Sequence, residues 1–352
     1  MNKKFFKSLM AMTSLCLMLT ACSSTEEDQT SSGATEEAAQ ETAQQTSESG
    51  APSGEKPEGA SSGMMGGGAV DKSSDTELQA MISEVEGEFE QLEFTDPETG
   101  ETLSYNLYTP ENYDPSKSYP LVTFIADSSV VGGDVTAPLT QGYGGLIWAT
   151  DEEQAKNESF VLVPQYPEVI IDDHGSFTTT EYIEMTKRLL DSVTSEYSID
   201  ENRLYGTGQS MGCMTLMYLS AAYPDLFAGQ LFVSGQWDAN TLEPLASQNF
   251  FYIAAAGDEK ASTGQEELLA TLQNAGASVS TATWNAAWSA EESSAAVESI
   301  LSEGNNINLA TFELGTVLPE GVEVGTSEHM YSFDYAYKIE AVRDWLFEQV
   351  NE

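Results

Sequence analysis

From residue 84 onward the chain changes its hydrophobic pattern from one short stretch to the next. Residues 89–94 and 103–110 alternate apolar and polar positions around the turn-rich stretch TDPETGE, which predicts an antiparallel hairpin. Residues 119–127, 159–167, 203–209, 229–235 and 249–258 carry short continuous apolar runs instead, the pattern of strands buried on both faces. Between the second and third runs, residues 178–197 carry Ile183, Leu189, Leu190 and Val193 behind a threonine-rich start suited to helix capping. A second helix is predicted after residue 210, where Met214, Met217, Tyr218 and Ala221 recur at helical spacing until Pro224 stops it. Residues 290–304 predict a further helix and 307–315 a further strand. Strands separated by helices predict an α/β domain. Its central sheet should be mostly parallel, with right-handed crossovers and antiparallel strands at the N-terminal edge. No internal repeat interrupts this order.

The first 83 residues have a different character. Residues 1–21 join a basic start at Lys3, Lys4 and Lys7 to an apolar stretch too short to span a bilayer, followed by small residues, as in an export signal peptide. Its end, Leu19-Thr20-Ala21-Cys22, resembles the lipobox of bacterial lipoproteins. That resemblance implies that Cys22 is the lipidated first residue of the mature chain, anchoring it to the extracytoplasmic face of the cell membrane. An ordinary secretory cleavage site with a chance cysteine is the alternative. Residues 22–83 are rich in Ser, Thr, Glu, Gln and Gly and hold no aromatic side chain, so they lack the apolar surface needed to fold. They are expected to form a tether that its own glutamates extend. The expected division is therefore signal peptide 1–21, tether 22–83 and α/β domain 84–352.

Charge and cysteine count narrow the chemistry. With 57 acidic against 13 basic residues the formal charge is −44, and no basic stripe offsets it, which argues against a nucleic-acid partner. Cys16 would leave with the signal and Cys22 would carry lipid, so Cys213 is expected to pack as a small apolar side chain rather than form an internal disulfide. Only two histidines exist, which argues against catalytic zinc, and the sequence calls for no cofactor.

The chemistry centres on residues 206–212, GTGQSMG, a G-x-S-x-G placed between a predicted strand and a predicted helix. At a sharp strand-to-helix turn, small residues at 208 and 212 allow close packing and leave Ser210 exposed as a nucleophile. A plain turn serine is the bland reading. A nucleotide-binding glycine loop fits poorly, because the spacing is G-x-G-x-x-x-G and Asp225 follows a helix rather than a second strand. A serine nucleophile needs a base. The order serine, acid, histidine selects His329 over His174, which is expected in a loop or at a pocket rim beside Asp172 and Asp173. Asp258 ends the strand at 249–258 and is the expected acid, with Asp238 its main rival and Glu259 a weaker choice.

On these residues, GQSMG, Gly257-Asp258 and EHMYSFDYAY (328–337), the chain from 100 to 350 resembles the α/β-hydrolase superfamily, in its secreted bacterial esterase and prolyl-oligopeptidase-like branch. The resemblance implies an α/β-hydrolase fold and a Ser-His-Asp mechanism without cofactor. It implies that Ser210 attacks an ester or amide carbonyl, that His329 relays the proton, and that Asp258 steadies the imidazolium. The backbone N–H of Met211, with that of Ala126 or Asp127, would form the oxyanion hole. Many relatives carry His-Gly where this chain has Ala126-Asp127-Ser128. A carboxylate there would either oppose the oxyanion or bind a cationic or hydroxyl-bearing substrate group. Asp127, Gln209 and Trp237 are accordingly candidates for substrate binding. Prolyl oligopeptidases usually carry a large N-terminal propeller, which the tether cannot be. A small-molecule or carbohydrate-linked ester is thus expected before a peptide, with a non-catalytic binding lipoprotein as the contrasting reading. Trp237, Trp284 and Trp288 either line the pocket or pack inside, and part of 284–321, residues 284–290 above all, is expected beside the active site.

Overall fold

In the computed structural model, which describes residues 70–324 and 327–351, the first element is helix α1 (Thr76–Val85). Leu78, Met81, Ile82 and Val85 fall at the i, i+3, i+4, i+7 spacing of one helical face. Leu78 and Val85 are buried there, and the Asp75 carboxylate caps the helix by accepting the N–H groups of Glu77 and Leu78. This corrects the expected boundary at residue 84. Four apolar side chains at helical spacing bury a face without needing an aromatic, so α1 belongs to the packed domain. The expected signal peptide, Cys22 and residues 22–69 of the expected tether lie outside the described residues.

Strands β1 (Glu90–Thr95) and β2 (Thr102–Tyr108) form the antiparallel hairpin, with Glu90 opposite Leu107 and Thr95 opposite Thr102. Its turn is held by buried Asp96, which accepts from Thr99 Oγ1 at 2.8 Å and from Arg188 Nε and Nη2 at 2.8 and 2.7 Å. Next come β3 (Tyr119–Ile125), the short helices α2 (Ala137–Thr140), α3 (Tyr143–Leu146) and α4 (Asp151–Lys156), and β4 (Phe160–Gln165). Every residue of β3 and β4 is buried, as their continuous apolar runs require. A small ribbon of β5 (Ile171–Asp172) and β6 (Thr178–Thr179) precedes α5 (Tyr182–Glu196). The second half alternates strand and helix: β7 (Ile199–Gln209), α6 (Met211–Ala222), β8 (Gly229–Val233), β9 (Phe250–Ala255), α7 (Glu259–Asn274), β10 (Val279–Trp284), α8 (Ala290–Leu301) and β11 (Ile307–Phe312). Helices α9 (His329–Lys338) and α10 (Glu340–Phe347) close it. Residues 282–284 end β10, which pairs with β11 along its whole length.

The main sheet runs β1-β2-β4-β3-β7-β8-β9-β11-β10. The pairs β1·β2 and β2·β4 are antiparallel and all later neighbours parallel, so the antiparallel strands sit at the N-terminal edge. Alternate strand residues face two apolar layers. Phe250, Tyr252 and Ala254 join the layer of α5, α6 and α7, whereas Phe251, Ile253 and Ala255 join that of α1, α3, α8, α9 and α10. β7 is the fifth of nine strands, so its end lies at the middle of the sheet. Among the described residues no helix is long and apolar enough to cross a membrane.

Candidate active site

Ser210 stands alone between the end of β7 and the start of α6, with φ 52° and ψ −114°. A non-glycine residue in that left-handed region carries strain of about 1–3 kcal/mol, which persists only where the surroundings fix it. The surroundings here are tight. A Cβ on Gly212 would lie 1.9 Å from the Ile125 carbonyl oxygen, and one on Gly208 would lie 2.7 Å from the Gly212 carbonyl carbon. Only glycine at both positions lets the first turn of α6 seat against the end of β3. The serine is further fixed by its N–H, which donates to Val233 O at 3.0 Å. Its neighbour Met211 begins α6, where the first N–H groups have no intrahelical acceptor and the helix dipole favours negative charge.

Three side chains from separate parts of the sequence meet at this turn. His329 Nε2 lies 2.8 Å from Ser210 Oγ, and His329 Nδ1 lies 2.5 Å from Asp258 Oδ2. Asp258 follows β9, two strands from β7, and its other oxygen caps α7 by accepting the Ala261 N–H at 3.3 Å. His329 opens α9; its carbonyl accepts from Ser332 Oγ at 2.8 Å, and its ring meets Phe333 edge-on at 5.0 Å. Asp258 and Ser210 are buried, while the histidine side chain keeps 17% exposure toward a cavity of about 300 Å³. Asp238, the rival acid, is spent capping the turn at 239–241 through the Asn240 N–H, and Glu259 lines the cavity without bonding His329.

The rim of the cavity carries a polar cluster. Lys260 Nζ lies 3.1 Å from both oxygens of Asp173, which also accepts from Gln236 Nε2, and His174 Nδ1 lies 2.6 Å from Asp172 Oδ1. Burial works against ionisation of Asp172, but the hydrogen bonds from His174 outweigh it and hold the carboxyl below its ordinary pKa. Asp172, Asp173 and His174 bring possible ligand atoms within 4.8 Å of one another, with the Lys260 ammonium already on Asp173. Cys213, one turn below, is fully buried, and that burial pushes its thiol well above the ordinary range.

Several expected substrate contacts are placed elsewhere. The Asp127 carboxylate accepts the Ser129 N–H at 2.8 Å and Gln209 Nε2 at 2.8 Å. Both side chains are buried and neither lines the cavity; the bond joins the turn after β3 to the end of β7, and Gln209 Oε1 is left without a partner. Trp237 packs between Phe177 at 5.0 Å and Tyr218 at 6.3 Å and lines a neighbouring groove; its neighbour Gln236 is the one that lines the Ser210 cavity. Trp284 and Trp288 line a separate cavity against α1, α9 and α10 that contains none of Ser210, Asp258 and His329. The expectation for residues 284–290 is thus overturned, because β10 is the edge strand and its end turns toward the opposite apolar layer. From the same stretch Gly315 does reach the site's support, donating its N–H to Glu328 Oε1 at 2.5 Å. Nothing in the sequence singled out Glu328; its one signal was adjacency to His329.

Comparison with known proteins bears on the architecture. No family model matches the chain. A 49-residue segment is 39% identical to poly(3-hydroxyalkanoate) depolymerase C of Paucimonas lemoignei, covering 14% of this chain and 12% of that one. Among solved structures, a thermostable esterase superposes with a TM-score of 0.62 at 24% identity, over 76% of this chain and 64% of its own length. The chain therefore spans less than two thirds of either protein. The mostly parallel sheet, its antiparallel edge, the flanking helices and this structural likeness establish that the chain has the α/β-hydrolase fold.

Proposed function

We propose that the chain is a serine hydrolase that cleaves esters through an acyl-enzyme, held outside the cytoplasmic membrane by lipid on Cys22. One observation carries the catalytic part: a strained Ser210 at 2.8 Å from an imidazole whose other nitrogen meets a buried carboxylate at 2.5 Å. A binding module has no use for that relay. In the proposed reaction Ser210 Oγ gives its proton to His329 Nε2 and bonds to the carbonyl carbon, whose π electrons move onto oxygen. Asp258 holds the imidazole in the tautomer that can accept this proton and stabilises the resulting imidazolium. The imidazolium then protonates the leaving oxygen as its bond to carbon breaks, and water repeats the sequence to free the acid and regenerate Ser210.

The oxyanion is assigned to the N–H of Met211 with that of Ala126 or Asp127. The end of β3 supports this, since the Ala126 carbonyl oxygen lies 3.0 Å from where a Gly212 Cβ would stand, against the first turn of α6. The Asp127 carboxylate is turned toward Ser129 and Gln209, whose N–H groups it accepts at 2.8 Å each, rather than into the cavity. The names of the two similar proteins, an esterase and a depolymerase, lean the reading toward esters before peptides.

The test is turnover of p-nitrophenyl acetate and butyrate beside peptide p-nitroanilides. The wild-type chain should hydrolyse the esters and Ser210→Ala should not; cleavage of anilides alone would transfer the reading to a peptidase. For the anchor, a Cys22→Ser chain expressed in bacteria should leave the membrane fraction as a soluble, active protein, and its full retention there would end the lipid assignment.

A further inference from the structure

We propose that Glu328 is a positioning residue that locks the acid loop to the histidine loop, a role that rests on the serine-hydrolase reading above. Its carboxylate is fully buried and has no cationic partner among the described residues. Burying a carboxylate that way is costly unless hydrogen bonds to its charged form compensate. Two backbone donors do so: the Gly257 N–H reaches Oε2 at 3.0 Å and the Gly315 N–H reaches Oε1 at 2.5 Å. The Glu328 N–H returns a bond to the Gly257 carbonyl at 3.5 Å, so the two residues are tied twice. Their contact is close enough that a Cβ on Gly257 would lie 2.3 Å from Glu328 Cδ.

The consequence follows from chain order. Gly257 is bonded covalently to Asp258, and Glu328 to His329, the two residues that share the 2.5 Å hydrogen bond. The Gly257–Glu328 tie therefore fixes both ends of the acid–base pair from directly behind. The third tie, at Gly315, fastens the connection between β11 and α9, on which His329 would otherwise hang at the end of residues 313–328. Each carboxylate oxygen serves a different loop. Glutamine offers one accepting oxygen and one NH₂ group, so it can keep only one of the two ties. Aspartate is one methylene short of both.

The test compares Glu328→Gln and Glu328→Asp with the wild-type chain. In both variants kcat should fall about 10–100-fold with KM nearly unchanged, because displacement of a catalytic group by about 1 Å costs up to about 10²-fold. The low-field proton resonance of His329 Nδ1–H should move upfield or vanish in exchange, while circular dichroism stays that of the wild type. Wild-type kcat and an unmoved resonance in Glu328→Gln would overturn the proposal. If the variants do not fold, the intact wild-type chain decides: the amides of Gly257 and Gly315 should resist hydrogen exchange, and rapid exchange of both would overturn it equally. Failure of the serine-hydrolase reading would look different, with the wild type inert toward every ester while the exchange and resonance measurements still reported on the clamp.

Discussion

Two cavities in this protein invite opposite conclusions from size and from chemistry. The larger, about 720 Å³, lies against α1, α9 and α10 and has Trp284, Trp288, Phe312 and Tyr335 in its wall. The smaller, about 300 Å³, holds Ser210, Asp258 and His329. Four charged groups of the larger one are occupied in pairs: Lys338 meets Glu77 at 2.9 Å, and Arg343 meets Glu153 at 2.9 Å. Its tryptophan at 284 packs toward Phe251 in the core. In the smaller cavity a carboxylate, an imidazole and a hydroxyl form one chain of hydrogen bonds that ends on Ser210 Oγ. Volume and aromatic content mark space that can be filled, whereas reaction requires groups that converge on a point.

The contrast is broken most severely at Ser210. Ser210→Ala should lower kcat/KM for p-nitrophenyl esters by about 10⁴-fold or more without changing the melting temperature markedly, and His329→Ala should be comparably inactive. Asp258→Asn should lose about 10³–10⁴-fold, since the amide leaves the geometry but favours the wrong imidazole tautomer. Steady-state kinetics and thermal melts on the same preparations check all three. On the other side, Trp288→Ala should change kcat/KM by less than about 2-fold; a loss of about 10-fold would join the larger cavity to the reaction.

The smallest expected effect lies in neither cavity. Hydrogen bonds from Arg188 hold the Asp96 carboxyl at a pKa of about 2, below its ordinary 3.8. A depressed carboxylate pKa stabilises the fold above the unfolded value and loses that contribution as pH falls toward the folded one. The wild type should therefore lose this contribution between about pH 4 and pH 2. Asp96→Asn should melt a few degrees lower at neutral pH and show a flatter decline in that window, read by urea midpoints across the range.

What the sequence disclosed and what it hid divide along a physical line. Local patterns were readable: the apolar runs of β3, β4, β8 and β9, the spacing along α5 and α6, and the glycines around Ser210 depend on neighbours in the chain. Helix α1 was readable too, from Leu78, Met81, Ile82 and Val85, but its Ser- and Glu-rich surroundings masked four apolar residues in a low-complexity average. Contacts between distant segments were not readable. Asp127 turns inward because Gln209, at the end of β7, donates its Nε2–H to the carboxylate. Trp237 serves a neighbouring groove because Phe177 and Tyr218 enclose it, and Glu328 matters through Gly257 and Gly315, 71 and 13 residues away. A side chain's type suggests chemistry, but its direction is set by partners that only the fold brings near.

Whether Ser210 is an activated nucleophile is read by labelling the intact chain with a fluorophosphonate and mapping the adduct by peptide mass spectrometry. One adduct should form, on Ser210, rapidly in the wild type and much more slowly in His329→Ala. No adduct under conditions that label a known serine hydrolase, or an adduct on another residue with Ser210 unmodified, would contradict it.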